Sequence, residues 1–456
     1  MRIHLIAIGG SAMHNMALAL HEKGYHVTGS DDEIREPSRS RLAAKGLLPA
    51  YDGWNPDVIT AKLDAVILGM HARADNPELL RAQELGLTIY SYPDYLYEQS
   101  RDKTRIVIGG SHGKTSITAM VLHVFKQCGI DTDFMVGAQL EGFDTMVRMT
   151  REAKFIVLEG DEYLASPVDR RPKFHLYHPH IALLSGIAWD HINVFPTFDN
   201  YVEQFRIFID KIEDGGTLIY CGNDEVLNET AQHTPGHNLT KQAYGIPPHE
   251  IANGTTTLLR EDGRRVPLLV FGDHNLMNME GARMICEIAG ISTQQFDAAI
   301  QSFKGAARRL ELVRKSATFN CYKDFAHSPS KLKATTAAVR KQFPDRTLVA
   351  CMELHTFSSL TAEFLAEYNG AMNTADVAYV YFNPHTIAHK KLPPITEAQV
   401  KQAFARDDIK VSTDSAALVA ELKQRHWNNS VLLLMTSGNF DGVNFDELAA
   451  AVDPQK

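Results

Sequence analysis

The stretch "RIVIGGSHGKTSITAM", residues 105–120, decides how this chain is read. An apolar strand runs into a glycine-rich turn and then into a helix, the arrangement that cradles phosphate with inward-pointing backbone amides and the positive end of a helix. Gly110, Ser111, His112, Gly113, Lys114, Thr115 and Ser116 form the cradle. Lys114 can then reach the β- and γ-phosphates of a nucleotide such as ATP, and the Thr115 hydroxyl can ligate Mg²⁺. The usual spacing G-x-x-x-x-G-K-[ST] would put its first glycine at position 108, which is Ile108, so the loop is a shortened variant. A plain structural turn has no need of Gly-Lys-Thr after a strand.

Outward from this loop, the chain alternates short apolar runs with helical stretches. "IHLIAIGG", "HVTGSD", "DAVILGM" and "TIYSYP" give a βαβ rhythm before the loop, with helices over 12–23 and in "PELLRAQELG". "KFIVLEGD", "HIALLSGI" and "GTLIYCGND" follow it, then a turn-rich stretch near 240–270 and a helix after "GDHNLMN". A last block holds "FNCYKDFAH", "TLVACMEL", "VAYVYF" and "SVLLLMTSG", with helices over 330–342, 360–372 and 396–405. The fold class is α/β in three blocks, 1–103, 104–309 and 310–456, and 456 residues with 44% hydrophobic content can bury several cores.

Bulk properties exclude several functions. With 55 acidic against 46 basic residues, the net charge of −9 gives no field to hold a nucleic-acid backbone. The apolar start of "MRIHLIAIGGSAMH" is too short to span a membrane and lacks a signal-peptide pattern, so the reading is cytoplasmic, with no membrane or nucleic-acid partner. Five scattered cysteines without a C-x-x-C pair fit a reducing compartment and no structural zinc site. "HLYHPH" (His175, His178, His180) suits no familiar zinc spacing.

In an open parallel sheet, ligands collect at the carboxyl ends of the strands. "KFIVLEGDEY" ends there in Glu159, Asp161 and Glu162, and "HIALLSGIAWDH" in Asp190 and His191. Read as neighbouring strands, they bring Glu159 and His191 to one magnesium-nucleotide. The first turn, "AIGGSAMH", followed by Asp31 in "HVTGSD", would by itself suggest NAD with Asp31 on a ribose.

The ordered set "GGSHGKTS", "LEGDE", "DH", "GDHNLMN", "RRLE" and "DFAHSP" resembles the Mur ligases of peptidoglycan synthesis, which use ATP to join an amino acid or peptide to a UDP-muramyl precursor. That family carries the shortened loop as G-T-[HN]-G-K-T, and the resemblance covers essentially the whole chain. It implies a three-domain architecture: a Rossmann-like UDP-sugar-binding domain (1–103), a P-loop ATPase domain (104–309) and a Rossmann-like amine- or peptide-binding domain (310–456). It further implies phosphate binding by Lys114, Mg²⁺ binding by Thr115, Glu159 and His191, and adenine recognition by Asn275 with His274 beside it. Arg309 would reach the γ-phosphate, and Asp324 and His327 would bring the third domain onto nucleotide and amine. The first turn would hold UDP through Gly9, Gly10, Ser11, Met13, Ser30 and Asp31, although Ala7 and Ala12 replace two of the family's glycines. "HARADNPE", with Asp75 and Asn76, matches a loop near the uridine nucleotide.

The implied substrates are UDP-N-acetylmuramate, ATP and an amine donor, with Mg²⁺. The 32 positions from Glu159 to His191, the insert "VDRRPKF" and "MTSGNF" resemble the murein peptide ligase branch, which attaches L-Ala-γ-D-Glu-meso-diaminopimelate in peptidoglycan recycling. "MELHTFSS" leans instead toward the L-alanine-adding ligases, the alternative. Arg170, Arg171 and Lys173 of the insert are expected to meet the carboxylates of a tripeptide.

Overall fold

The computed structural model describes residues 1–140, 142–189, 194–306 and 309–455. It divides into two units, Met1–Gly245 with Met277–Ile300, and Ile246–Leu276 with Gln301–Lys456.

The first unit holds two sheets. β1 (Arg2–Ile6), β2 (His26–Ser30), β3 (Ala65–Leu68) and β4 (Ile89–Ser91) form a parallel sheet in the order β2-β1-β3-β4. The second sheet contains β5 (Thr104–Gly109), β6 (Thr132–Met135), β7 (Val147–Arg148), β8 (Phe155–Gly160), β9 (Ile181–Leu184), β10 (Thr217–Cys221) and β11 (Thr240–Tyr244). Its order is β11-β10-β9-β5-β8-β6-β7, parallel except for β7. Ile106, Val107 and Ile108 of β5 and Ile156, Val157 and Leu158 of β8 are all fully buried. Parallel strands covered on both faces read as continuous apolar runs, which is why these were visible in the sequence. Ile108 is core, so the loop can begin only after it.

The second unit has a small antiparallel sheet, β12 (His249–Ala252), β13 (Thr255–Leu259) and β14 (Arg265–Leu268), within the stretch read only as turn-rich. Its larger sheet runs β15-β16-β20-β17-β18-β19, built from β15 (Glu311–Lys315), β16 (Phe319–Asp324), β17 (Thr347–Leu354), β18 (Val377–Phe382), β19 (Lys410–Ser412) and β20 (Ser430–Met435). Only β15 is antiparallel in it. The helix expected over 360–372 is instead short turns, Ser358–Leu360, Ala362–Leu365 and Ala366–Tyr368, and Gly370 follows at φ +71°, where a helix cannot continue. The helix placed after "GDHNLMN" starts within it, at Asp273.

At the end of the second sheet opposite the phosphate loop, Lys103 and Asp133 form an ion pair of 3.1 Å, with side chains 3% and 0% exposed. Lys103 also donates to Ala153 O, and Asp133 accepts from the backbone and hydroxyl of Thr150. Removing one partner strands a buried charge. Lys103→Met should therefore cost about 3 kcal/mol or more, read as a lowered denaturation midpoint with an unchanged slope; a loss within about 0.5 kcal/mol, the scale of an ordinary surface substitution, would refute it.

Candidate active site

The loop leaves β5 at Gly109 and enters the helix Lys114–Gln127. Gly110 and Gly113 have φ of +120° and +83°, a region open mainly to glycine. Added methyl groups there would run into Ser185 Oγ and Asn278 Oδ1 respectively. The turn is stitched to the segment following β9: Ser185 donates to the carbonyls of Gly109 and His112, and Ser111 N donates to Gly186 O. Ser111 Oγ accepts from Ala188 N at 2.8 Å, and both Ser111 and Ser116 are buried.

Lys114 Nζ donates to Gly110 O at 2.6 Å and to Glu162 Oε2 at 2.7 Å. Burial works to strip its proton, but Glu162 and Asp161 outweigh that and hold its pKa above the ordinary lysine value. Thr115 Oγ1 donates to Glu159 Oε1 at 2.8 Å, and Gly137 N to Glu159 Oε2 at 2.8 Å. A hydroxyl and a carboxylate oxygen meeting beside a phosphate loop are hard oxygen donors of the kind Mg²⁺ takes, so the residues fit that ion. β8 and β9 are not neighbours, as the sequence suggested, but flank β5 on either side, because the loop-bearing strand occupies the middle of the sheet. Asp190 and His191 lie outside the described residues.

Sequence reading gave no role to Glu162, Tyr201, Ser185 or Asn278. Glu162 stood inside "LEGDEY" and could have been singled out; Tyr201, on the helix Phe198–Asp210, carries no local signal.

In the second unit, Asp324 closes β16 and accepts from Leu310 N and Ala326 N, each at 2.7 Å. Arg309 and His327 both pack on Phe325, between them in sequence: the guanidinium stands 5.0 Å from the ring centroid, and the imidazole packs edge-on at 5.0 Å. His274 is half-buried, and desolvation depresses its pKa; Asn275 is buried and its Nδ2 donates to Phe271 O.

The first turn is built around Asp31, whose Oδ2 accepts from Gly9 N at 2.7 Å and whose Oδ1 accepts from Asp32 N. A methyl on Gly9 would come 2.9 Å from that carboxylate, while Gly10 has ordinary room. Ala7, where the family has glycine, sits at φ +67°. Ser30 O accepts from Ala7 N and Ile8 N, Met13 is buried, and Ser11 Oγ lies 3.5 Å from Met146 Sδ. Asn76 caps the helix Pro77–Glu84, and Asp75 pairs with Arg73.

The insert does not present three free cations. Arg171 pairs with Asp169 at 2.6 Å and with Asp94 at 3.7 Å, and Lys173 pairs with Asp161 at 2.5 Å; Arg170 is exposed. Three acidic residues close in space, but only partly in sequence, answer the basic run. His175 is buried against Gln204 O, its pKa pushed down to about 4 by burial.

Three family models match the chain: "Mur ligase family, catalytic domain" over 2–104, "Mur ligase middle domain" over 108–286, and "Mur ligase, glutamate ligase domain" over 308–438. The chain is 31% identical to a UDP-N-acetylmuramate–L-alanine ligase of Lactobacillus delbrueckii subsp. bulgaricus, over 83% of this chain and 84% of that one. Among solved structures, it is similar to a murein peptide ligase from Psychrobacter arcticus (TM-score 0.64, 23% identity, 99% of this chain and 98% of that one). It is also similar to the UDP-N-acetylmuramate:L-alanyl-γ-D-glutamyl-meso-diaminopimelate ligase of Neisseria meningitides (TM-score 0.59, 27% identity, 67% of this chain and all but 1% of that one, at 99% coverage).

Burial, aided by the neighbouring Asp32, pushes the Asp31 carboxyl up to about 6. A carboxyl raised in the folded state ionises first in the unfolded chain, so its contribution to stability falls as pH rises from about 4 through about 6. Denaturant titrations across that window should show Asp31→Asn gaining on the wild type as pH rises; parallel curves would contradict it.

Proposed function

Because the chain belongs to the Mur ligase family, whose members are ATP-dependent ligases that form amide bonds, we propose that it joins L-Ala-γ-D-Glu-meso-diaminopimelate to UDP-N-acetylmuramate in peptidoglycan recycling. Residues 1–103 would take the UDP sugar, 104–309 ATP, and 310–456 the amine donor. The observation that carries the ATP half is the pairing of Lys114 with Glu162 and of Thr115 with Glu159 around one glycine turn.

The chemistry explains the need for such a site. The muramate carboxylate attacks the γ-phosphorus of ATP, an approach of two anions, and ADP leaves as the bridge between the β- and γ-phosphates breaks; the amine then attacks the acyl phosphate, loses a proton and expels inorganic phosphate as the amide forms. In this reading the amides of Gly110–Ser116 and the Lys114 ammonium neutralise the phosphates in place. Thr115, Glu159 and His191 would hold Mg²⁺, which would supply further charge neutralisation. His274 and Asn275 serve adenine, Arg309 the γ-phosphate, and Asp324 and His327 the closing of the donor domain. Gly9, Gly10, Ser11, Met13, Ser30 and Asp31 shape the turn for UDP. The enzyme works in the cytoplasm in this reading; among the described residues no helix is long and apolar enough to cross a membrane.

Support for the peptide donor comes from the murein peptide ligases among the similar solved structures. The second reading, L-alanine, is favoured by the name of the Lactobacillus relative and by the neutralised Arg171 and Lys173.

Lys114→Ala is expected to abolish phosphate release while leaving calorimetric binding of UDP-N-acetylmuramate nearly intact; a rate within about tenfold of wild type, ~1.4 kcal/mol in barrier terms, rules out the assigned role. For the donor, kcat/KM for the tripeptide should exceed that for L-alanine by about two orders of magnitude or more, roughly 2.7 kcal/mol. Competition at equal concentrations, resolved by product mass, decides it: a predominant alanine adduct overturns the peptide reading.

A further inference from the structure

Glu162 is 1% exposed, three residues beyond Glu159, and the roles assigned above leave it out. A carboxylate so deeply buried is costly unless its oxygens are met by donors. Both are: Oε2 by the Lys114 ammonium at 2.7 Å, and Oε1 by the Tyr201 hydroxyl at 3.1 Å.

The Tyr201 oxygen also stands 2.9 Å from Ser111 Oγ, which accepts from Ala188 N. A carboxylate only accepts, so the single Tyr201 proton goes to Glu162. The Ser111 hydroxyl must then donate to Tyr201, and the direction of the whole chain is fixed: Ala188 N–H to Ser111, Ser111 to Tyr201, Tyr201 to Glu162. Glu162 therefore grips the loop at two points, at Lys114 directly and at Ser111 through Tyr201. An ammonium has three N–H donors. One goes to Gly110 O and one to Glu162, which leaves the third for a ligand.

The two glutamates of "LEGDEY" divide the work. Glu159 takes the Thr115 hydroxyl and Gly137 N, and Glu162 takes the lysine and the serine of the loop. We propose that Glu162 is a positioning residue for nucleotide binding, holding Lys114 toward the β- and γ-phosphates through an anchor on Tyr201 and Ser111, while Glu159 serves the metal. The inference rests on the ATP reading of this loop.

The test compares TNP-ATP with TNP-AMP, whose shared fluorescent group makes both titrations readable, on the full-length chain. Because Lys114 meets only the outer phosphates, Glu162→Gln should weaken TNP-ATP at least about tenfold and TNP-AMP by less than about twofold. The Mg²⁺ concentration for half-maximal rate should stay at the wild-type value, whereas Glu159→Gln raises it. Tyr201→Phe keeps the ring and cuts the anchor; it should give the same pattern at about threefold, and it carries the test if Glu162→Gln does not fold. Equal losses for both nucleotides would make Glu162 a packing residue, a raised Mg²⁺ requirement would make it a metal ligand, and unaltered TNP-ATP binding would remove its role; each overturns the proposal. A wild-type chain that binds no TNP-ATP would instead defeat the ATP reading itself.

Discussion

The pairing of β5 with β8 is the constraint on which the site depends. The register sets Ile108 against Glu159 and Gly109 against Gly160, so the phosphate loop and the acidic segment leave the sheet at the same level. Side chains alternate faces along a strand, and a slip of one residue would turn Glu159 to the other face, away from Thr115. The register is held by buried aliphatic side chains on both strands, and a slip would expose them to the wrong neighbours. The charged groups thus inherit their alignment from apolar packing and need not supply it. Pairing in turn makes their burial tolerable: Lys114 with Glu162, Lys173 with Asp161 and Thr115 with Glu159 leave few donors or acceptors without an answer.

The shortened loop follows from the same packing. Ile108, at the place of the missing glycine, is fully buried in β5, so the turn must be made between Gly109 and Lys114. Other groups approach the tight turn closely: Ser185 and the Asn278 side chain stand where side chains on Gly110 and Gly113 would be. The glycines serve the contacts of the loop with its surroundings as much as its curvature.

Where physics acts locally, the sequence was readable. The doubly covered strands β5, β8, β9, β17, β18 and β20 are largely apolar runs, and Gly-Lys-Thr after one of them marks the loop. β12 to β14 escaped notice because an exposed antiparallel sheet alternates polar and apolar residues, as in "TTTLL", and blends into turn-rich sequence. Partnerships distant in sequence were also hidden: the Asp31 carboxylate holds Gly9 N, and Asp94 reaches Arg171 from far along the chain. Lys114, Thr115 and Glu159 were legible from spacing, whereas the Tyr201 link to Glu162 requires a helix that begins at Phe198 to pack beneath the loop.

The conflict between "MELHTFSS" and "MTSGNF" has a structural explanation. β17 and β20 are paired neighbours, and the two motifs leave their carboxyl ends together. Glu353, buried at the end of β17, accepts from the Thr436 hydroxyl and from Phe440 N at 2.9 Å, and its other oxygen lies 3.4 Å from His355 Nδ1. A side chain on Gly438 would come 2.8 Å from that carboxylate and 2.9 Å from the imidazole, so the glycine is required for the two loops to meet. One carboxylate therefore shapes both motifs, and neither is an independent witness to the donor. A change at His355 would act on the loop after β20 through Glu353, and a change at Gly438 would act on His355. The two loops are packed as a unit through Glu353 and Gly438, which is why matching either stretch alone to a branch of the family pulls the reading in opposite directions.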